Sequence, residues 1–112
     1  MRSSATARTL KASAPVFAAL GDETRLRLVS RLCEGGPQSI VKLTEDADVT
    51  RQAVAKHLRV LADAGVVRGR RAGRESVWEI EPDRLEAARE CLDLISARWD
   101  AAIERLRAFV ES

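Results

Sequence analysis

Apolar and polar positions along this chain follow two rhythms, a helical one and then the shorter period of a hairpin. Between Thr50 and Gly65, the residues Val54, Leu58 and Leu61 stand at i, i+4 and i+7, one apolar stripe suited to packing on a core. At about 100° per residue the opposite side carries Gln52, Lys56 and Arg59. Thr50 predicts the helix start, because its hydroxyl can accept from the unpaired amides of a first turn. Gly65 predicts the stop, in the left-handed conformation that ends helices. The pattern then changes to β-favouring Val66-Val67 and Ser76-Val77-Trp78-Glu79-Ile80, with a turn at Ala72-Gly73 between them.

Upstream, Pro15 to Leu20 predicts a short apolar helix that Gly21 ends, with Pro15 in a first turn where its missing N–H costs nothing. Asp22 or Thr24 can cap a second helix, which carries Leu26, Val29, Leu32 and Cys33 at helical spacing and stops at Gly35-Gly36-Pro37. Ser39 caps a third, with Ile40, Val41, Leu43 and Ala47 as apolar contacts, and Glu45–Val49 is a tight connection into Thr50. Two short helices joined in this way, the second with an exposed polar face, make a helix-turn-helix. With the hairpin behind it, the expected fold is mainly α with a small β-hairpin wing, a winged helix-turn-helix. Residues 1–11 read as a mobile arm, 12–81 as the winged domain, and 82–112 as one long helix of the same domain.

That last helix has its own period. Leu85, Leu92, Trp99 and Leu106 recur every seven residues, and Ala88, Ile95, Ala102 and Phe109 follow each by three. Ile103 and Val110 broaden the stripe. Such a seam asks for another helix, and the other helices of a 112-residue chain are too short to cover it easily. A symmetric homodimer is the expected solution, with packing onto the chain's own first helix as the alternative.

Composition sharpens this picture in one respect, the placement of charge. The net charge is only +2, but residues 51–74 hold seven Lys/Arg against one acid, Asp63. Residues 1–50 carry a net +1 and residues 75–112 a net −5. A basic centre ahead of an acidic tail is the footprint of a protein that meets a polyanion with one face. Hydrophobic content of 46% with 32% charged residues is that of a folded chain, and the length allows one domain with one modest core. The basic, Ser/Thr-rich first dozen residues have a composition that a transit peptide can share, and a frayed arm is the preferred reading. No apolar run approaches the roughly 18 residues of a membrane span. The cysteines, Cys33 and Cys91, form no metal-like pair and fit a reducing cytoplasm. Cys33 reads as a small core residue and Cys91 as a flank of the helix seam.

The run Ala19-Leu20-Gly21-Asp22-Glu23-Thr24-Arg25-Leu26-Arg27-Leu28, then Leu32 through Gly36-Pro37, resembles the opening of the ArsR family of bacterial repressors. So do Val54-Ala55-Lys56-His57-Leu58-Arg59-Val60-Leu61, Ala64-Gly65-Val66-Val67 and the wing Arg70-Arg71-Ala72-Gly73-Arg74. The resemblance spans roughly residues 14 to 81. It implies a dimeric winged-helix repressor, paired through its first and last helices and bound to an inverted-repeat operator that often overlaps its own promoter. Phe17 then joins Leu85, Ala88, Leu92, Ile95, Trp99, Ala102, Ile103, Leu106 and Phe109 as expected interface residues. Many members sense metals through third-helix cysteines or through Asp/His/Glu ligands on the last helix. Here the third-helix stretch Gln38–Thr44 has no cysteine and the last helix no histidine. Thiolate and imidazole bind soft and borderline ions best, so no metal site and no cofactor are expected.

The residues facing away from the stripe are the ones free to meet DNA. Gln can pair two-fold with adenine, and Lys or Arg can reach guanine; Thr50, Arg51, Gln52 and Lys56 are therefore the expected base-reading set, nearest the helix N-terminus. Arg59 and the wing residues Arg70, Arg71 and Arg74 are expected on the DNA backbone, and Arg68 either joins them or flanks the strand. His57, about 60° off the stripe, reads as a packing or hydrogen-bonding residue. No nucleophile–base pair, phosphate-cradling loop or acid/base cluster points to an enzyme. The expected function is a cytoplasmic, double-stranded-DNA-binding regulator, most simply a repressor, and nothing in the chain identifies an effector. The rivals are a winged-helix module that offers its basic face to an acidic protein, and a repressor switched by thiol oxidation.

Overall fold

The computed structural model describes residues 2–112. Among the described residues the elements run α1 Arg2–Leu20, α2 Glu23–Gly35, β1 Gln38–Ser39, α3 Ile40–Glu45, α4 Arg51–Asp63, β2 Val67–Ala72, β3 Glu75–Ile80 and α5 Pro82–Glu111. Helices α2, α3 and α4 each begin on a side-chain cap of the same kind. Asp22 Oδ2 accepts from the Arg25 amide at 3.0 Å, Ser39 Oγ from Lys42 at 3.2 Å and Thr50 Oγ1 from Ala53 at 3.1 Å. Each satisfies an amide that the helix itself leaves unpaired. Of the two caps the sequence allows for α2, Asp22 is the one used.

The Arg25 amide also holds the Asp22 carboxyl below its ordinary value of 3.8, with help from the Arg25 charge. A depressed carboxyl stabilises the fold above its unfolded value and loses that contribution as pH falls through the folded value. Asn caps as well as Asp but does not titrate. Asp22→Asn is therefore expected to match the parent in urea unfolding at neutral pH and to lose less stability on acidification. An unchanged acid limb would remove Asp22 from the account.

One core joins these helices. Leu28, Leu32, Leu43, Val54, Leu58, Leu61 and Val66 are all 2% exposed or less. The sheet beside it is antiparallel in the order β1-β3-β2, with Gln38 opposite Trp78, and Val67 opposite Ile80 through to Ala72 opposite Glu75. That register leaves Gly73 and Arg74 as a two-residue turn, and Gly73 takes the positive φ of 64° that such hairpin turns favour. Gly65, at φ 79°, turns the chain from α4 toward the wing as expected. Trp78 packs on the core across Gly69, where a Cβ would lie only 3.4 Å from its ring. Strand β1 was outside the expectation, because two residues after a Pro, the second of them the cap of α3, carry no alternation to detect.

The N-terminus corrects the expectation of a mobile arm over 1–11. Helix α1 covers Arg2 onward, Pro15 lies inside it rather than in its first turn, and Met1 is outside the described residues. Residues 5–14 are rich in Ala with Leu, Lys and Arg and hold no Gly or Pro, so propensity favours helix there. The helix is also anchored by packing: Ser13 and Val16 are buried, and Ser13 Oγ donates to the Ala87 carbonyl of α5 at 3.4 Å.

Helix α5 is split along its length. Ala88 and Cys91 are buried within the protomer, and Leu85 and Phe17 pack half-buried against the same core. The alternative of packing onto the chain's own first helix thus holds for the first turns of α5, where Leu85 and Ala88 were also expected at a dimer interface. The structure also reverses the two thiols: Cys33, expected in the core, is exposed at the end of α2, and Cys91 is buried. Beyond Cys91 the stripe is bare, with Leu92, Ile95, Trp99, Ile103, Leu106, Phe109 and Val110 all exposed, and Ala102 among them. The radius of gyration, 18.0 Å, exceeds the roughly 13 Å of a compact domain of this length. The projecting helix accounts for the excess. No helix of the described residues is long and apolar enough to cross a membrane.

Candidate nucleic-acid interface

Helix α4 is positioned from behind by complete burial of one face. Val54, Leu58 and Leu61 are 0% exposed, so the helix cannot roll without moving the core. The face this leaves outward carries Arg51, Gln52, Lys56 and Arg59, all exposed. Thr50, expected among the base readers, spends its hydroxyl as acceptor for the Ala53 amide. It remains exposed at the N-terminal end, where the helix dipole favours an anion.

Two arginines of α2, not singled out from the sequence, hold α4 and its approach in place. Arg31 donates to the carbonyls of Leu43 at 2.7 Å and Lys42 at 3.1 Å, and to Asp46 Oδ2 at 2.8 Å. It thereby caps the end of α3 and fastens the turn of the helix-turn-helix. Arg25 reaches two ways, through Nε to the Ala19 carbonyl that closes α1 and through Nη1 to His57 Nδ1 at 3.2 Å. A guanidinium can only donate, so Nδ1 accepts and the imidazole proton sits on Nε2. Asp22 Oδ2 lies 3.9 Å from the same ring nitrogen. His57 is thus the packing and hydrogen-bonding residue that its angle suggested. Arg25 and Arg31 could be found only from the tertiary fold, because on a helical wheel they are ordinary polar positions.

The wing extends the basic face but not evenly. Arg71 and Arg74 are exposed near the turn and make no ion pair among the described residues. Arg68 and Arg70 do: Arg68 bonds Glu79 and Glu81, each at 2.9 Å, and Arg70 bonds Glu79 at 3.1 Å. Arg70, expected on the DNA backbone, and Arg68, expected either to join it or to flank the strand, thus differ from Arg71 and Arg74 in having carboxylate partners. With Arg51, Lys56 and Arg59, five cations on α4 and the wing tip lack a carboxylate partner among the described residues. No group of three or more His, Cys, Asp or Glu side chains gathers to hold a metal among those residues.

Comparison with known proteins agrees with this geometry. The family model of a helix-turn-helix domain matches residues 20–70. The HTH-type transcriptional regulator Rv2034 of Mycobacterium tuberculosis is 37% identical over 94 residues, 84% of each chain. The HTH-type transcriptional repressor SmtB of the same species is 31% identical over 94 residues, 84% of this chain and 67% of that one. Among solved structures, an ArsR-like transcriptional regulator from Rhodococcus superposes with a TM-score of 0.74 at 35% identity, covering 90% of this chain and 94% of that one. The winged helix-turn-helix and the long last helix are therefore shared with known relatives, and this chain belongs to the ArsR family of winged helix-turn-helix, DNA-binding transcriptional regulators.

Proposed function

We propose that the protein is a cytoplasmic homodimeric repressor that binds an inverted-repeat operator through α4 and the wing. The observation that carries this reading is the outward face of α4, whose three cations lack carboxylate partners among the described residues while its back is fixed in the core. Arg51, Gln52 and Lys56 read base edges in the major groove, and Arg59 with the wing tip holds phosphates. The bare stripe of α5 from Leu92 to Val110 pairs with the same stripe of a second copy, setting two reading helices about one DNA turn apart. The name of the SmtB relative, a repressor, supports the sign of regulation.

Selection of duplexes from a random pool, with the region upstream of the gene included, tests the reading. An inverted repeat is expected, and a reporter placed behind it is expected to fall when the protein is supplied. Gln52→Ala and Lys56→Ala should each relax preference at one or two positions per half-site, costing about 1–3 kcal/mol at those positions. Salt-sensitive binding without preferred sequence would sink the base-reading assignment and favour an acidic protein partner for the basic face.

A further inference from the structure

The wing's arginines stand in two environments. Strand alternation puts Arg68 and Arg70 on one face of the hairpin, opposite Glu79 and Val77, and Arg71 on the other, opposite Ser76. Glu79 sits on the first face with its side chain only 16% exposed. Its Oε1 accepts from Nε of Arg68 and Nε of Arg70 together, while Glu81 Oε2 accepts from Nη1 of Arg68. Two carboxylates thus match two guanidiniums, and this face of the wing has no net charge from the four groups. A lone surface pair contributes about 0–1 kcal/mol, but a connected set that shares an acceptor is held more firmly. Arg71, near the end of β2, and Arg74, in the turn, have no such partner among the described residues.

We propose that Glu79 sorts the wing. Arg71 and Arg74 at the tip meet the DNA, while Arg68 and Arg70 are kept back by Glu79 and Glu81 as a brace that fixes the hairpin. Glu79 is then a positioning residue for a wing that touches DNA, and the inference rests on that part of the proposed function. For Arg70 to reach a phosphate it would have to abandon Glu79 and leave a carboxylate facing the polyanion. The hydrogen bonds from Arg68 and Arg70 hold the Glu79 carboxyl below the ordinary range, so it stays ionised wherever the protein is folded near neutral pH.

Salt dependence separates the two classes, because only a cation that neutralises phosphate releases counterions from DNA. Affinity of the full-length protein for its selected operator would be titrated over a range of salt for Arg68→Ala, Arg70→Ala, Arg71→Ala, Arg74→Ala and Glu79→Gln. Arg71→Ala and Arg74→Ala should each flatten the slope of log K against log salt by roughly 0.9 for every phosphate left without its cation. Arg68→Ala and Arg70→Ala should leave the slope unchanged, a result that a general loss of wing structure would not give. Glu79→Gln should steepen it and narrow the gap between operator and random duplex, as two freed arginines join the interface. A flatter slope for Arg68→Ala or Arg70→Ala, or an unchanged one for a folded Glu79→Gln, overturns the sorting; the arginine variants decide it if Glu79→Gln does not fold. If all four arginine variants flatten the slope alike, the wing still meets DNA and only the sorting fails. If Lys56→Ala flattens it and no wing variant does, the wing reading fails as well.

Discussion

A Leu92→Glu, Trp99→Glu variant is expected to sediment as a folded monomer and to bind an inverted-repeat operator roughly 100-fold or more weakly than the parent, because its two half-sites are no longer engaged by one joined molecule. Both side chains are exposed in the protomer, Leu92 at 50% and Trp99 at 66%, so neither substitution opens a hole in the protomer's core. In the proposed dimer both lie on the seam, and four carboxylates buried there without partners would cost several kcal/mol. Circular dichroism should show α5 still largely helical, tied by Ala88 and Cys91 to the body. A variant that remains dimeric in sedimentation would move the interface away from this stripe.

The second large effect is expected at the back of α4. Leu58 is 0% exposed, and Leu58→Ala should lower the unfolding free energy by about 2–5 kcal/mol. Against the roughly 5–15 kcal/mol typical of whole domains, that loss threatens the fold itself. Leu26→Ala on α2, at a position 51% exposed, serves as the control and should stay within about 0.5 kcal/mol in urea unfolding. Equal losses at the two positions would contradict the burial pattern. Operator binding by Leu58→Ala should fall in step with the folded fraction, since Leu58 presents no atoms to DNA.

Much of this arrangement could be read from the chain because it is local. A threonine cap, a stripe at i, i+4 and i+7 and a glycine at the stop define α4 within its own sixteen residues from Thr50 to Gly65. The wing, too, declares itself by β-favouring residues around a glycine turn. What escaped depends on neighbours distant in sequence. The helical state of 2–11 is supported by packing of Ser13 and Val16, and the burial of Cys91 rather than Cys33 follows from α5 lying on α1. The heptads of α5 are regular from Leu85 to Phe109, and nothing in that regularity says where the protomer's own core ends. Arg68 and Arg70 look identical to Arg71 until the register with β3 puts Glu79 across from them. Periodicity gives the face a residue occupies, whereas its partner is given only by the fold.

The two-residue strand β1 has a consequence for how the protein meets its target. Gln38 and Ser39 pair with Trp78 and Val77, and the Gln38 amide donates to the Arg31 carbonyl at 2.9 Å while its oxygen accepts from the Arg31 guanidinium. The wing is therefore stitched to the same arginine that fastens the helix-turn-helix turn. Helix α4 and the hairpin are thereby fastened to one another, and much of the conformational freedom of their relative orientation is lost when the chain folds. Less ordering is left for the moment of binding, so affinity can be gained without enlarging the surface that touches DNA.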